Sequence, residues 1–471
     1  MLGVALVTAI VVGVLIATLP SEEVLVGFAG VVSFLLISFL ISRSDTTCVL
    51  LAATIFTTAI STTFWLDHRI SIGEFPISVP DVIVFAYGLF ALTKWFRDGH
   101  ARMNTIGALL SAWLLYNSFF GVGIGMRAGN PMYAVLQEYR VVLYAAVAYF
   151  ATLVLFQKER HLRAVMLSLV GAGLTVSIWQ LAISVSGLGL RLEEMVSVNQ
   201  NSLGRQLRDV NLPLYFAALA LIMLVMILEH APTFLGKKQW YAWALVPVFL
   251  VAVIVSNTRA VWVSLAVSIC VLLLHSFILN LSKRSLWRQM VLAGACIVSG
   301  VFAYIVLRMF LPTMSEAALT AWDYTLSDND STSFTRLEIV QTLLKSFWDD
   351  VPALLSGIGF GNMWSGAIRE GPYTNLHNTY LAYMVIGGLP GLMLFLALWI
   401  SPLVSCFRLL RRALSPIVKA YVLASIMSWV VFSALLLSIP PHWSEAAFFG
   451  ITLGILTVLE DPKRYGGVVV N

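Results

Sequence analysis

The feature that most constrains this chain is a series of near-continuous apolar runs, each long enough to cross a bilayer. A helix rises 1.5 Å per residue, so roughly 20 apolar residues span a hydrocarbon core of about 30 Å. Backbone N–H and C=O groups find no water there, which leaves helices or a closed barrel as spanning structures. The runs do not alternate apolar with polar residues, as barrel strands do. The sequence therefore predicts an all-α, polytopic integral membrane protein. Composition agrees, with 59% of the 471 residues hydrophobic and 11% charged. A soluble domain carries about 25% charged residues, so a soluble globular fold is excluded.

Fourteen spans can be drawn: 2–19, 24–42, 47–65, 79–95, 104–122, 133–155, 164–187, 210–229, 240–256, 259–280, 289–310, 379–405, 417–437 and 443–459. A miscounted hairpin would lower the number, so the expectation is about 12–14 transmembrane helices. Only Ser256-Asn257-Thr258 separates the ninth span from the tenth, which predicts a tight helical hairpin. The first run lacks a basic segment before it and a small-residue cleavage site after it, so it reads as a span rather than a cleaved signal. Cys48, Cys270, Cys296 and Cys406 lie in or at the ends of apolar runs without metal-ligand spacing. They read as small apolar residues.

The charges set the topology. Eighteen of the 29 Lys and Arg follow even-numbered spans, in groups such as Lys94, Arg97 and Arg102, Lys158, Arg160 and Arg163, or Arg408, Arg411, Arg412 and Lys419. The positive-inside rule makes those loops, and both termini, cytoplasmic. Ten of the remaining 11 are Arg, against 11 of the 18 inside. Topology gives no reason for Arg on the outer side, whereas a planar guanidinium grips phosphate or carboxylate in a bidentate way. Arg191 and Arg369 read as side chains reaching for lipid headgroups.

One outer loop, residues 311–378, is long. Thr335 and Glu338 fit a capping box. Leu337, Val340, Leu344 and Phe347 then share one helical stripe, which predicts an amphipathic helix on the membrane surface or over a cavity. The glycines of Gly357-Ile-Gly359-Phe-Gly361-Asn362 follow no strand, so they read as a flexible turn rather than a nucleotide loop.

Four features on the outer side could carry chemistry: Arg205 and Arg208 ahead of the eighth span, Arg259 at the mouth of the tenth, His377-Asn378-Thr-Tyr380 where the long loop re-enters the membrane, and Glu138 with Arg140 inside the sixth. Glu138 and Arg140 are two apart and do not face each other on a helix. Each is expected to find a partner on another helix, as a functional group or a structural ion pair. Together the features suggest an anion cavity at the outer leaflet with a histidine beside it. A lipid-linked diphosphate is the natural anion there, and Arg can neutralise it as it leaves. Asp328-Asn-Asp330 lacks the rest of a calcium loop, so no metal or other cofactor is expected.

Four segments resemble the bacterial O-antigen ligase and O-antigen polymerase (WaaL/Wzy-like) superfamily. Arg208-Asp-Val-Asn211-Leu-Pro213 is similar to its first arginine segment, although the family's Gly after the Arg is replaced here by Asp209-Val-Asn211. Ser256-Asn-Thr-Arg259-Ala-Val-Trp262 is similar to the second. Thr335-Arg336-Leu-Glu338 through Asn362 looks like its periplasmic helix and glycine turn. His377-Asn378-Thr-Tyr380-Leu with Gly387-Gly388-Leu-Pro-Gly391 looks like its histidine motif. The resemblance implies one membrane domain over 1–471, with N-terminal helices (1–200), a ligase/polymerase-like core (201–405) holding the periplasmic loop 311–378, and C-terminal helices (406–471).

It also implies a GT-C-like, metal-independent, inverting glycosyltransferase of the inner membrane. The donor would be an undecaprenyl-diphosphate-linked oligosaccharide, and the acceptor a glycan or a lipid A core sugar. Arg208 and Arg259 would bind the diphosphate, with Arg205 as alternate. His377 would orient or deprotonate the acceptor hydroxyl. Arg336, Asn378, Tyr380, Glu138 and Arg140 would support them. A chain-length regulator or other polysaccharide-assembly proteins would be partners. Two competing readings stay open: a lipid-linked glycan flippase or polysaccharide transporter, and a peptidoglycan-type polymerase that would need Asp209 or Glu338.

Overall fold

The structure, a computed structural model, describes residues 45–60, 70–72, 75–77, 79–98, 104–186, 214–231, 239–255, 350–361, 378–412, 414–437 and 443–461, with a few isolated positions between 266 and 345. These residues form a bundle of α1 (Thr46–Ile60), α2 (Val79–Asp98), α3 (Thr105–Arg127), α4 (Met132–Leu155), α5 (Glu159–Ser186), α6 (Leu214–His230), α7 (Gln239–Val255), α8 (Val351–Ser356), α9 (Thr379–Leu410), α10 (Pro416–Leu435) and α11 (Trp443–Glu460). A small antiparallel hairpin, β1 (Ile70–Ile72) and β2 (Phe75–Ile77), joins α1 to α2. Among the described residues, five helices are long and apolar enough to cross a membrane, and α1, α6 and α7 contain shorter apolar helices. The protein is a polytopic, helical membrane protein. Ten of the fourteen expected spans coincide with described helices. The expected spans 2–19, 24–42, 259–280 and 289–310, the hairpin at 256–258 and most of the amphipathic helix after Thr335 lie outside the described residues.

Small residues bring the helices together. Gly450 and Gly454 are four apart on α11, and they face Ala145, Ala148 and Thr152 of α4. A Cβ on either glycine would overlap α4, so the two backbones meet directly. That close approach replaces the hydrophobic drive that lipid removes.

The two ends of the bundle differ. At one, the charged end, Asp45 caps α1 through Thr47 N at 3.1 Å and pairs with Arg160 (2.5 Å) and His161 (2.9 Å) of α5. At the same end Glu460 of α11 takes Asn104 Nδ2 at 2.8 Å and Arg408 Nη1 at 3.4 Å. At the other, the glycine end, the loop 357–361 enters the bundle.

One expected span is corrected. α9 is not a single rod, because Gly388 stands at φ 63° and breaks it. Tyr383 stacks on Phe395 with ring centroids 4.4 Å apart. Twelve residues of straight helix would separate them by about 18 Å. The chain therefore folds back at Gly388 into a short first arm (379–387) and a long second arm (389–410). Both arms rest on α10: Tyr380 Oη donates to Ser433 O at 3.3 Å, and Trp399 Nε1 to Ser433 Oγ at 2.8 Å.

Candidate functional site

Breaking a helix frees main-chain carbonyls, which lipid cannot satisfy. Ile386 O has lost its helical donor because residue 390 is proline, and Gly388 takes Val385 O out of register. The glycine turn supplies both donors. Ile358 N donates to Val385 O at 2.8 Å, and Gly359 N to Ile386 O at 3.1 Å. Gly387 O accepts from Tyr116 Oη of α3 at 2.7 Å.

The turn is held from its other side as well. α3 widens into a π turn at Asn117–Val122. A π turn displaces a carbonyl from the regular ladder, and Gly121 O accepts from Phe360 N at 2.8 Å. Asn130 Nδ2 donates to Phe360 O at 2.9 Å. Gly361 N donates to Glu138 Oε2 at 2.7 Å. Four consecutive N–H groups, 358 to 361, are thus all placed. Gly357, Gly359 and Gly361 have φ of 72°, 79° and 91°, a region that L side chains enter only at a cost. A Cβ on Gly359 would also overlap the main chain of Gly125. The flexible turn expected here is instead a clasp that joins two of the four motif segments.

The membrane charges resolve separately, as their spacing on α4 requires. Glu138 finds a partner on the clasp, where another helix was expected. Arg140 Nε lies 3.2 Å from Asp81 Oδ1 at the start of α2, and Tyr144 Oη donates to the same carboxylate. These contacts give both groups structural work.

Asn378 caps the first arm of α9, accepting from Leu381 N at 3.0 Å, and donates to Leu437 O at 3.3 Å. Thr379 N donates to Leu436 O at 2.8 Å. The histidine motif therefore continues into a helix tied to α10. Arg205, Arg208, Arg259, Arg336 and His377 lie outside the described residues.

The sequence reading missed Tyr116, Asn130, Asp81 and Glu445. Asp81 and Glu445 had a signal, since each is a carboxylate in the first turn of an apolar helix. Tyr116 and Asn130 had none, because their role depends on where the clasp lands. Among the described residues, Asp45, Cys48 and His161 bring potential metal-ligand atoms within 4.8 Å of one another. They are already used: Asp45 Oδ2 takes Arg160 and His161, and His161 Nδ1 accepts from Gln157 N at 3.0 Å. This group is a clamp between α1 and α5.

Residues 243–396 match a family model described as O-antigen ligase. No curated protein matches the chain. The matched segment contains three of the four motif segments, including both halves of the clasp. It supports a membrane role in glycan transfer. Residues 243–396 are thus similar to the O-antigen ligase family.

Proposed function

We propose that the protein is a membrane glycosyltransferase that takes a glycan from an undecaprenyl-diphosphate-linked donor and delivers it to a sugar hydroxyl. The observation that carries this reading is the ordered series of motifs around the O-antigen ligase match at 243–396. On this reading Arg208 and Arg259 neutralise the diphosphate, with Arg205 as alternate and Arg336 in support. Fixed guanidinium charge stabilises the leaving group without a metal. His377 accepts the acceptor proton. Attack on the face opposite the diphosphate inverts the anomeric centre.

The glycine end then faces the periplasm and the charged end the cytoplasm of a bacterial inner membrane. Arg160, Arg163, Arg408 and Arg412 at the charged end favour that orientation, since cytoplasmic loops collect basic residues. A flippase would favour charges deep in the membrane, and the two that lie deep in the expected spans, Glu138 and Arg140, have structural partners. Both are engaged, by Gly361 and by Asp81.

The test is glycan transfer by Arg259→Ala and His377→Ala in a strain lacking the wild-type gene. Both variants should insert normally and stop transfer, and the lipid-linked donor should accumulate. Full activity in both would overturn the assignment. The same deletion strain separates two acceptors. Single repeat units on the lipid A core mean a lost polymerase, and long chains left on the lipid diphosphate mean a lost ligase. The fourteen spans expected from the sequence, against the twelve associated with ligases, favour the polymerase of a surface polysaccharide or exopolysaccharide.

A further inference from the structure

α8 runs directly into the clasp, and none of its residues is charged. On its inner side Ala353 and Leu354 rest on Val385 of the first arm of α9. On its outer side Val351 and Leu355, four apart and so on one face, are 56% and 57% exposed. Pro352 between them is exposed as well. The hydroxyl of Ser356 is spent on Pro352 O at 2.8 Å, so the outer face is wholly apolar.

This face lies at membrane depth. Phe360 N donates to Gly121 O, and Gly121 sits six residues inside the end of α3 at Arg127, about 9 Å along the helix. Gly361 N donates to Glu138, six residues into α4. Non-helical backbone is tolerated at such depth only where protein serves its polar groups. Here Gly357 N donates to Ala353 O at 2.8 Å, and the four N–H groups after it are the bonded donors of the clasp.

The face also continues a stripe on α9, a helix apolar enough to cross the membrane. Leu389, Met393, Ile400, Val404 and Phe407 are all exposed, and their spacing puts them on one side of the second arm. A Cβ on Gly388 would meet Leu354 O and Leu355 C, each at 2.7 Å. The end of α8 therefore adjoins the start of that stripe at Leu389.

We propose that α8 and the clasp form a re-entrant segment, seated through Val351, Pro352 and Leu355 on the acyl chains of the leaflet at the glycine end. The seat follows from the bundle spanning a membrane and does not depend on the transferase reading. Water is a poor occupant, because an apolar face continuous with a lipid-facing helix favours the boundary between headgroups and acyl chains. A protein helix is a poor occupant too. Helices in lipid approach one another through small residues, as α11 approaches α4 through Gly450 and Gly454. The large exposed side chains of α8 and of the α9 stripe are Val, Leu, Met, Ile and Phe. Acyl chains mould to such a face without needing a matching surface. The clasp is thus held between the bundle on one side and lipid on the other.

The test is nitroxide accessibility on the full-length chain in liposomes, with oxygen as the lipid-soluble relaxant and a nickel chelate as the water-soluble one. The labels go on Val351→Cys and Leu355→Cys. Ile400→Cys, on the α9 stripe, is the reference in lipid. Ala128→Cys, exposed in the turn between α3 and α4, is the reference in water. The unsubstituted chain, labelled in parallel, gives the background from the native cysteines. The oxygen-to-nickel ratio at both test positions should exceed the water reference several-fold and fall short of the lipid reference, as a boundary position requires. A ratio no higher than the water reference puts the face in water and overturns the proposal. Labels that neither reagent reaches put the face against protein, whether a second copy or another part of the chain, and overturn it as well. If Leu355→Cys fails to insert, Val351→Cys decides by the same two criteria.

Discussion

The two ends of the bundle are held by different chemistry. The charged end rests on side chains: Asp45 with Arg160 and His161, the Glu460 carboxylate with Asn104 and Arg408, and the Arg412 guanidinium on the Glu460 carbonyl. Those ion pairs and hydrogen bonds connect helix ends without interrupting a helix there. The glycine end uses main chain: four successive N–H groups of the clasp meet two carbonyls of a broken helix, one of a π turn and the carboxylate of Glu138. A side-chain clamp can lose one member and keep its geometry. A main-chain clasp cannot, because its donors are covalently in series. The end with the least tolerance for change is the one that carries the histidine motif.

The strongest way to break this comparison is Gly359→Val. The substitution forces a β-branched residue to φ 79° and drives its Cβ into Gly125. Backbone strain of ~1–3 kcal/mol adds to overpacking of ~1–3 kcal/mol. The clasp should leave its seat, and glycan transfer should fall by at least about tenfold, since 1.4 kcal/mol is a factor of ten. Thermal melting in detergent and a transfer assay check both parts. A variant with unchanged melting and activity would show that the clasp does not hold the site.

A finer test uses Glu138. Glu138→Ala leaves the buried Gly361 N–H without this acceptor, which costs about 1–3 kcal/mol. Glu138→Gln keeps an oxygen at the same place and should sit near wild type in both melting and transfer. Equal damage from the two substitutions would mean that the charge, not the acceptor, is what the site uses. The clasp would then be a poor account of why Glu138 lies in the membrane.

The same contrast explains what could be read from the sequence. Apolar runs and basic loops follow from bilayer thickness and the positive-inside rule, so the ten described spans and the grouping of Arg160 with Arg408 and Arg412 at one end were legible. Glu138 and Arg140 could be assigned to different partners from helical spacing alone. The fold-back of α9 was not legible, because Gly387-Gly388-Leu-Pro390 sits inside a run as apolar as any span. Hydropathy counts residues and does not register a reversal of direction. The glycine turn was misread for a related reason. Glycine permits both a loose loop and a tightly held one, and the choice rests on Gly121, Gly125 and Asn130, more than 200 residues away. Asp81 and Glu445 were visible as carboxylates in the first turns of apolar helices, but their surroundings were not.

The smallest expected effect belongs to the charged end, and it is a pH effect. Burial pushes the Asp45 carboxyl up, while the hydrogen bond and charge of His161, the Thr47 N–H and the Arg160 charge outweigh it and hold the group below its ordinary value. A carboxyl with a depressed folded value binds protons less readily in the folded than in the unfolded chain. Its contribution to stability is therefore full above the ordinary carboxylate range and disappears as pH falls through the lowered value. Asp45→Asn carries no such term. Wild type should melt slightly higher than Asp45→Asn near neutral pH, and the gap should close on acidification. Glycan transfer at neutral pH should be the same in both, because a side-chain clamp tolerates the loss of one charge. A gap that stays constant with pH would remove the electrostatic account of α1 and α5. A loss of transfer in Asp45→Asn would instead show that the charged end is coupled to the glycine end, and that the two cannot be treated as separate devices.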